Sequence, residues 1–114
     1  MALTIYGIPN CDTVKAARRW LDAEGIPYAF HDFRAHGLDR ATVEGWLLKV
    51  PGETLLNRRG TTWRKLDADE QKRAENDLAG LLVDHPSLIK RPVAVAGNDI
   101  TVGWTDAERA RLKR

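Results

Sequence analysis

The chain has 114 residues, 43% hydrophobic and 30% charged, the balance of one soluble globular domain and not of a disordered polymer. Its 18 basic and 16 acidic residues leave a formal charge of +2, too small an excess to signal nucleic-acid binding, and no apolar run approaches the ~20 residues of a membrane span. A single cysteine excludes an internal disulfide and an all-cysteine metal site, and Met1-Ala2-Leu3-Thr4 has neither the basic nor the apolar region of a secretion signal, so a cytoplasmic protein is expected.

Leu3-Thr4-Ile5-Tyr6 alternates and is rich in strand formers, and Gly7 and Pro9 stop it. From Thr13 onward, Val14, Ala17, Trp20 and Leu21 fall at helical spacing, with Lys15, Arg18, Arg19 and Asp22 on the other faces. Gly25 suits the helix C-terminus, and Pro27 bars continuation. Tyr28-Ala29-Phe30-His31-Asp32-Phe33 alternates as a second strand, and strand, helix, strand with a tight first turn predicts a parallel pair.

Asp39 caps a second helix with Val43, Trp46, Leu47 and Val50 as its apolar stripe. Gly52 to Trp63 has no clear period and reads as a loop with a short helical turn. Asp67 or Asp69 starts a third helix running to about Val83, with Leu78, Leu81 and Leu82 inward, and His85-Pro86-Ser87-Leu88-Ile89 is a break and a short helical turn. Arg91-Pro92 precedes a short strand, Val93-Ala94-Val95. Gly97-Asn98-Asp99 turns the chain into Ile100-Thr101-Val102, and Thr105-Asp106-Ala107-Glu108 is a capping box opening a terminal helix. The expected order is β-α-β, a helical insertion over about 39–90, then β-β-α: an α/β fold with a mixed sheet and one domain over residues 1–114.

Cys11 falls where the first helix should begin. A thiol reacts as thiolate, and a helix N-terminus favours the anion. The backbone N–H groups of the first turn, around Asp12 and Thr13, point toward such a sulfur. Lys15, one turn on, adds positive charge, whereas the Asp12 carboxylate opposes the effect where it comes close. Arg91 presents a planar guanidinium suited to oxyanions and carboxylates. Arg58 and Arg59 are read either as solvated loop residues or as turned toward a site. Trp20, Trp46, Trp63 and Trp104 read as packing residues, with Trp63 or Trp104 as candidates to line a thiol pocket. His31, His36 and His85 are dispersed and no carboxylate pair offers a metal template, so no metal site is expected.

A cysteine after the first strand and a proline opening the third is the thioredoxin arrangement. Gly7-Ile8-Pro9-Asn10-Cys11-Asp12-Thr13, Leu55-Leu56-Asn57-Arg58-Arg59-Gly60, Pro86-Ser87-Leu88-Ile89-Lys90-Arg91-Pro92 and Val102-Gly103-Trp104 together resemble the arsenate reductase (ArsC) family, most closely its YffB/Spx-like branch. The resemblance implies a thioredoxin-like fold, a catalytic Cys11, an Arg91 that binds an anion and stabilises the cysteine, and a cis bond to Pro92. It further implies that Asn10, Asp12, Thr13, Lys15, Arg58, Arg59 and Pro92 surround the substrate or glutathione. Three departures bear on the substrate. Asn57 stands where the arsenate reductases have arginine, Gly7-Ile8 where they have His-Asn, and Val102-Gly103-Trp104 where a further arginine is placed. An oxyanion site missing such contacts, each worth about 1.5–3 kcal/mol, is weakened by orders of magnitude.

Spx-type regulators carry a Cys-x-x-Cys switch at this turn, and here Val14 takes the second position. With no second cysteine, an oxidised Cys11 requires an outside thiol. The expectation is therefore a glutathione-dependent monothiol oxidoreductase with glutathione as co-substrate, no bound cofactor, glutaredoxin as a possible partner, and a monomeric state. The alternatives are an arsenate reductase using glutathione and glutaredoxin, and a non-enzymatic Spx-like binding protein; the basic terminus Arg109-Ala110-Arg111-Leu112-Lys113-Arg114 reads as a contact surface for the latter or as a solvated helix end favoured by the helix dipole.

Overall fold

A computed structural model describes residues 2–113. Two compact units divide the chain: one comprises the segments up to Gly37 and from Arg91 onward, and the other is Leu38–Lys90.

The first unit is built on a four-stranded sheet. Strand β1 (Leu3–Gly7) leads through a turn to helix α1 (Asp12–Ala23), and the chain returns as β2 (Ala29–Asp32) before a single helical turn, α2 (Phe33–His36). Strands β1 and β2 are parallel, as the strand–helix–strand pattern requires. Strand β2 is shorter than the alternation from Tyr28 to Phe33 predicts. The cause is Asp32, whose carboxylate accepts a hydrogen bond from the Arg34 backbone N–H at 2.8 Å and so starts α2. Val14, Ala17 and Leu21 form the buried stripe of α1, and Leu21 packs with Leu3, Ile5 and Ala94 in a core edged by Trp20, Tyr28 and Phe30.

After the second unit in sequence come β3 (Val93–Ala96), β4 (Asp99–Val102) and a last helix labelled α8 (Asp106–Leu112). The sheet order is β2-β1-β3-β4, with β3 antiparallel to both neighbours. This mixed sheet and its connections are the expected thioredoxin-like arrangement. Gly97, at φ +60°, supplies the left-handed conformation of the β3–β4 turn. The capping box at Thr105 forms as read, the Glu108 carboxylate accepting from the Thr105 backbone N–H at 2.7 Å.

The second unit is helical, with α3 (Arg40–Leu47), α4 (Gly52–Leu55), α5 (Thr61–Lys65), α6 (Ala68–Asn76) and α7 (Leu78–Asp84), followed by a 3₁₀ turn at Pro86–Leu88. Val43, Trp46, Leu55, Leu56, Leu81, Leu82, Leu88 and Ile89 are buried. Two sequence expectations change here. The stretch from Gly52 to Trp63 is more ordered than a loop, because it contains α4 and the start of α5. The single helix expected from Asp67 or Asp69 to Val83 is two helices broken at Asp77. There the backbone leaves helical geometry (φ −156°, ψ 63°), and the carboxylate takes over as N-cap of α7, accepting from the Gly80 N–H at 3.4 Å. A Cβ at residue 80 would overlap that carboxylate, so the cap depends on glycine. Arg40 fixes the Asp77 carboxylate from the other side at 2.6 Å, and the same ion pair holds its pKa below the usual carboxylate range.

Candidate functional site

Cys11 is the N-cap residue of α1, with extended backbone (φ −94°, ψ 127°) and its carbonyl accepting from the Lys15 N–H at 2.9 Å. The turn that delivers it follows from Gly7. A Cβ there would sit 2.8 Å from a Val14 methyl group, so only glycine lets the end of β1 lie this close to the first turn of α1. The helix start is therefore pressed against the strand end, and Cys11 is half-buried at that junction.

Arg91 reaches the same place through sheet register. Tyr6 pairs with Val93 across the antiparallel β1–β3 ladder, so the residues just before β3 and just after β1 emerge at one end of the sheet. The Arg91–Pro92 bond is cis, as the resemblance implies. Pro92 is buried, and its carbonyl accepts from the N–H of Gly103 at 3.0 Å. Gly103 has φ +93°, a conformation that other residues adopt only with strain, and so lets the chain after β4 fold back on the proline.

These elements act on the sulfur in opposing ways. Burial pushes the Cys11 pKa up. The backbone N–H of Val14, the guanidinium of Arg91, the N–H of Thr13 and the Arg91 charge push it down, and together they prevail, leaving the thiol below its ordinary value. The thiol makes no capping hydrogen bond of fixed geometry, so the attraction is the directed electrostatics of first-turn N–H groups and a guanidinium. Such a sulfur is a nucleophile at lower pH than a free cysteine and sits beside a cation able to receive an anionic group.

Of the other residues singled out in sequence, Asp12 and Thr13 occupy the exposed first turn of α1, and Asn10 is exposed in the turn before it. Lys15 is exposed one turn further on, contributing its backbone N–H to the Cys11 carbonyl. Arg58 and Arg59 belong to the helical unit, where each has a local role. The Arg58 guanidinium lies 4.7 Å from the Trp63 ring centroid and pairs with Glu53 at 3.1 Å, while the Arg59 backbone N–H donates to the Asn57 side chain at 3.0 Å. Trp104 packs edge-on against Trp20, with centroids 5.4 Å apart. His85 ends α7 and meets Glu70 at 2.9 Å, and His31 lies against Tyr6 and His36. Reading by residue type gave Gly7 a strand stop, Val14 an apolar helix face and Gly103 a place in a motif, and assigned none of them a part in shaping the thiol site. Val14 acts through its backbone N–H, which carries no side-chain signal, and the two glycines act by lacking a Cβ. A glycine between a strand and a proline turn was the available hint.

Comparison with known proteins places this geometry among others. The sequence model of the ArsC family matches residues 6–112. A solved structure of a protein named YFFB is 43% identical, with a TM-score of 0.89, covering 96% of this chain and 98% of that one. The solution structure of an arsenate reductase (ArsC) related protein from Brucella melitensis is 44% identical, with a TM-score of 0.76, over 97% of this chain and 93% of that one. The global transcriptional regulator Spx of Streptococcus pneumoniae is 25% identical over 115 aligned positions, spanning 98% of this chain and 86% of the regulator.

Proposed function

The chain belongs to the ArsC family, and from that premise we propose that it is a glutathione-dependent monothiol oxidoreductase with Cys11 as nucleophile. The observation that carries the reading is the helix-capping Cys11, its pKa lowered by the Val14 and Thr13 N–H groups and by Arg91, in a chain with no second cysteine. In the proposed cycle the Cys11 thiolate attacks the glutathionyl sulfur of a mixed disulfide. A Cys11–glutathione disulfide forms and the substrate thiolate leaves, taking a proton from water. A second glutathione thiolate then attacks the glutathionyl sulfur, giving glutathione disulfide and restoring the Cys11 thiolate. The net exchange consumes one glutathione per turnover: the mixed disulfide and one glutathione give the substrate thiol and glutathione disulfide. Arg91 stabilises the attacking and departing Cys11 thiolate and receives a carboxylate of the tripeptide, Pro92 shapes the wall beside the sulfur, and Asn10, Asp12, Thr13 and Lys15 form the exposed rim.

The experiment is a titration of Cys11 followed by exposure to glutathione disulfide. A thiol pKa clearly below 8.5 and a single glutathione adduct on Cys11 by mass spectrometry support the reading. An ordinary pKa with no adduct ends it.

Two other readings have their own support. Relation to arsenate reductases favours arsenate as substrate, but Asn57 and Gly7-Ile8 stand where those enzymes place anion-binding side chains. Arsenate-dependent thiol oxidation abolished by Cys11→Ser would establish that reading. Similarity to Spx favours a regulatory protein, against which Val14 removes the two-cysteine switch; specific binding of RNA polymerase subunits would favour it.

A further inference from the structure

The first unit holds a second concave site at the opposite end of its sheet from Cys11. The strand register builds its floor: Leu3 pairs with Ala96, Ala96 with Asp99 and Ala94 with Thr101, so these five side chains lie on one face of three adjacent strands. Two of the five are alanines, and the small side chains leave a groove of about 700 Å³, within the range of small-molecule sites. Ile26 and Pro27 wall it on the α1 side, and Arg111 and Leu112 of α8 roof it. A Lys113–Glu24 ion pair at 3.2 Å joins the end of α8 to the end of α1. Leu3 lines the groove while Gly7 meets α1 beside Cys11, so about 13 Å of strand separates the two sites.

Two features define what the groove accepts. At its edge, Arg111 and Asp99 face each other 3.8 Å apart, and opposite charges so placed give no net preference for an ion. On its floor, Thr101 is 94% buried by residue (6% exposed) and its hydroxyl has no hydrogen-bond partner. A buried hydroxyl without a partner costs stability, and most such groups are satisfied by protein, water or ligand. The oxygen is covered, so pairing with a bound molecule requires a change of χ1 rotamer that brings it to the groove.

We propose that this groove binds a compact uncharged molecule, an apolar ring or short chain carrying one hydroxyl that pairs with Thr101. The site is independent of the thiol chemistry and does not involve Cys11.

Phenol and toluene, alike in shape but differing by a hydroxyl for a methyl, are the probes. They are titrated into isotope-labelled full-length Cys11→Ser protein while the amide signals of Ala94, Ala96, Thr101 and Leu112 are followed by NMR. Phenol is expected to shift these signals saturably and to bind about fivefold tighter than toluene, the value of one net hydrogen bond. Thr101→Val, which preserves side-chain shape and removes the unpartnered hydroxyl, should erase the difference between the probes. Ala96→Leu, which raises a larger side chain from the floor beside Thr101, should weaken the saturable shifts for both probes, with Ala96→Val in its place if the leucine variant does not melt cooperatively. Absence of saturable shifts at these amides, equal binding of the two probes, or a preference for phenol that survives Thr101→Val would each overturn the proposal.

Discussion

Of the helices that begin with a residue able to carry negative charge, α7 and α1 use it in opposite ways. Asp77 opens α7, and its carboxylate is held by Arg40 at 2.6 Å, by Arg73 at 3.7 Å and by the Gly80 N–H at 3.4 Å. Cys11 opens α1, and its sulfur closes no fixed capping bond while still feeling the Val14 N–H, Arg91 and the Thr13 N–H. In each case a glycine makes room: Gly80 beneath the Asp77 carboxylate, Gly7 beneath Val14. The same helix-terminus electrostatics makes a structural joint where ion pairs hold a carboxylate, and a nucleophile where the favoured anion is a thiolate.

Cys11→Ser breaks the contrast most completely. Glutathione exchange, followed with a glutathionylated model peptide, should fall below detection. Far-ultraviolet circular dichroism should stay unchanged, because serine is a good N-cap.

Arg91→Ala sharpens the contrast from the electrostatic side. The Cys11 pKa should rise toward that of a free thiol in an absorbance titration, with exchange near neutral pH falling roughly tenfold, the scale of one charge-assisted contact. Arg91→Lys should recover part of both, since it restores the charge without the planar fork.

The two glycines distinguish joint from nucleophile. Gly80→Ala and Gly7→Ala should each cost about 1–3 kcal/mol by overpacking, measured by urea unfolding. Only Gly7→Ala should also raise the Cys11 pKa, by displacing Val14 and the first turn that carries its N–H. An equal thiol response to both substitutions would contradict the assignment.

The smallest effect is a pH dependence of stability. The folded pKa of Cys11 lies below that of the unfolded thiol, so the fold prefers the thiolate. The resulting stabilisation is full above the unfolded value, near 8.5, and is lost as the pH falls through the folded value. The Tm of the wild type relative to Cys11→Ser should therefore rise across that window and stay flat on either side of it.

Much of this was legible from residue types. Cys11 after a Gly/Pro turn, Arg91-Pro92 before a strand, Gly97-Asn98 between two strands and Thr105 followed by Glu108 each pair a local chemical requirement with a side chain that meets it. The break at Asp77 was hidden because Leu78, Leu81 and Leu82 continue the helical period, and an aspartate inside such a run resembles a solvated face. Its carboxylate caps α7 through the Gly80 N–H and is held by Arg40, distant in sequence. The contributions of Val14, Gly7 and Gly103 were hidden for a different reason: they come from a backbone N–H and two absent Cβ atoms, which composition and periodicity do not register.

The pairing of Tyr6 with Val93 has a consequence for synthesis. A ribosome delivers Cys11 long before Arg91, and the N-terminal strand–helix–strand segment emerges without its third and fourth strands. A helix of twelve residues such as α1 is marginal when isolated, so its aligned amides are only intermittently present at that stage. The nascent thiol is thus close to an ordinary cysteine, poorly ionised near neutral pH and slow to exchange. Pairing of β3 with β1 completes the sheet around the thiol and brings the guanidinium to it, so the chemistry of Cys11 depends on a long-range pairing as well as on its own helix. Truncated or misfolded chains, lacking that pairing, carry a comparatively inert thiol.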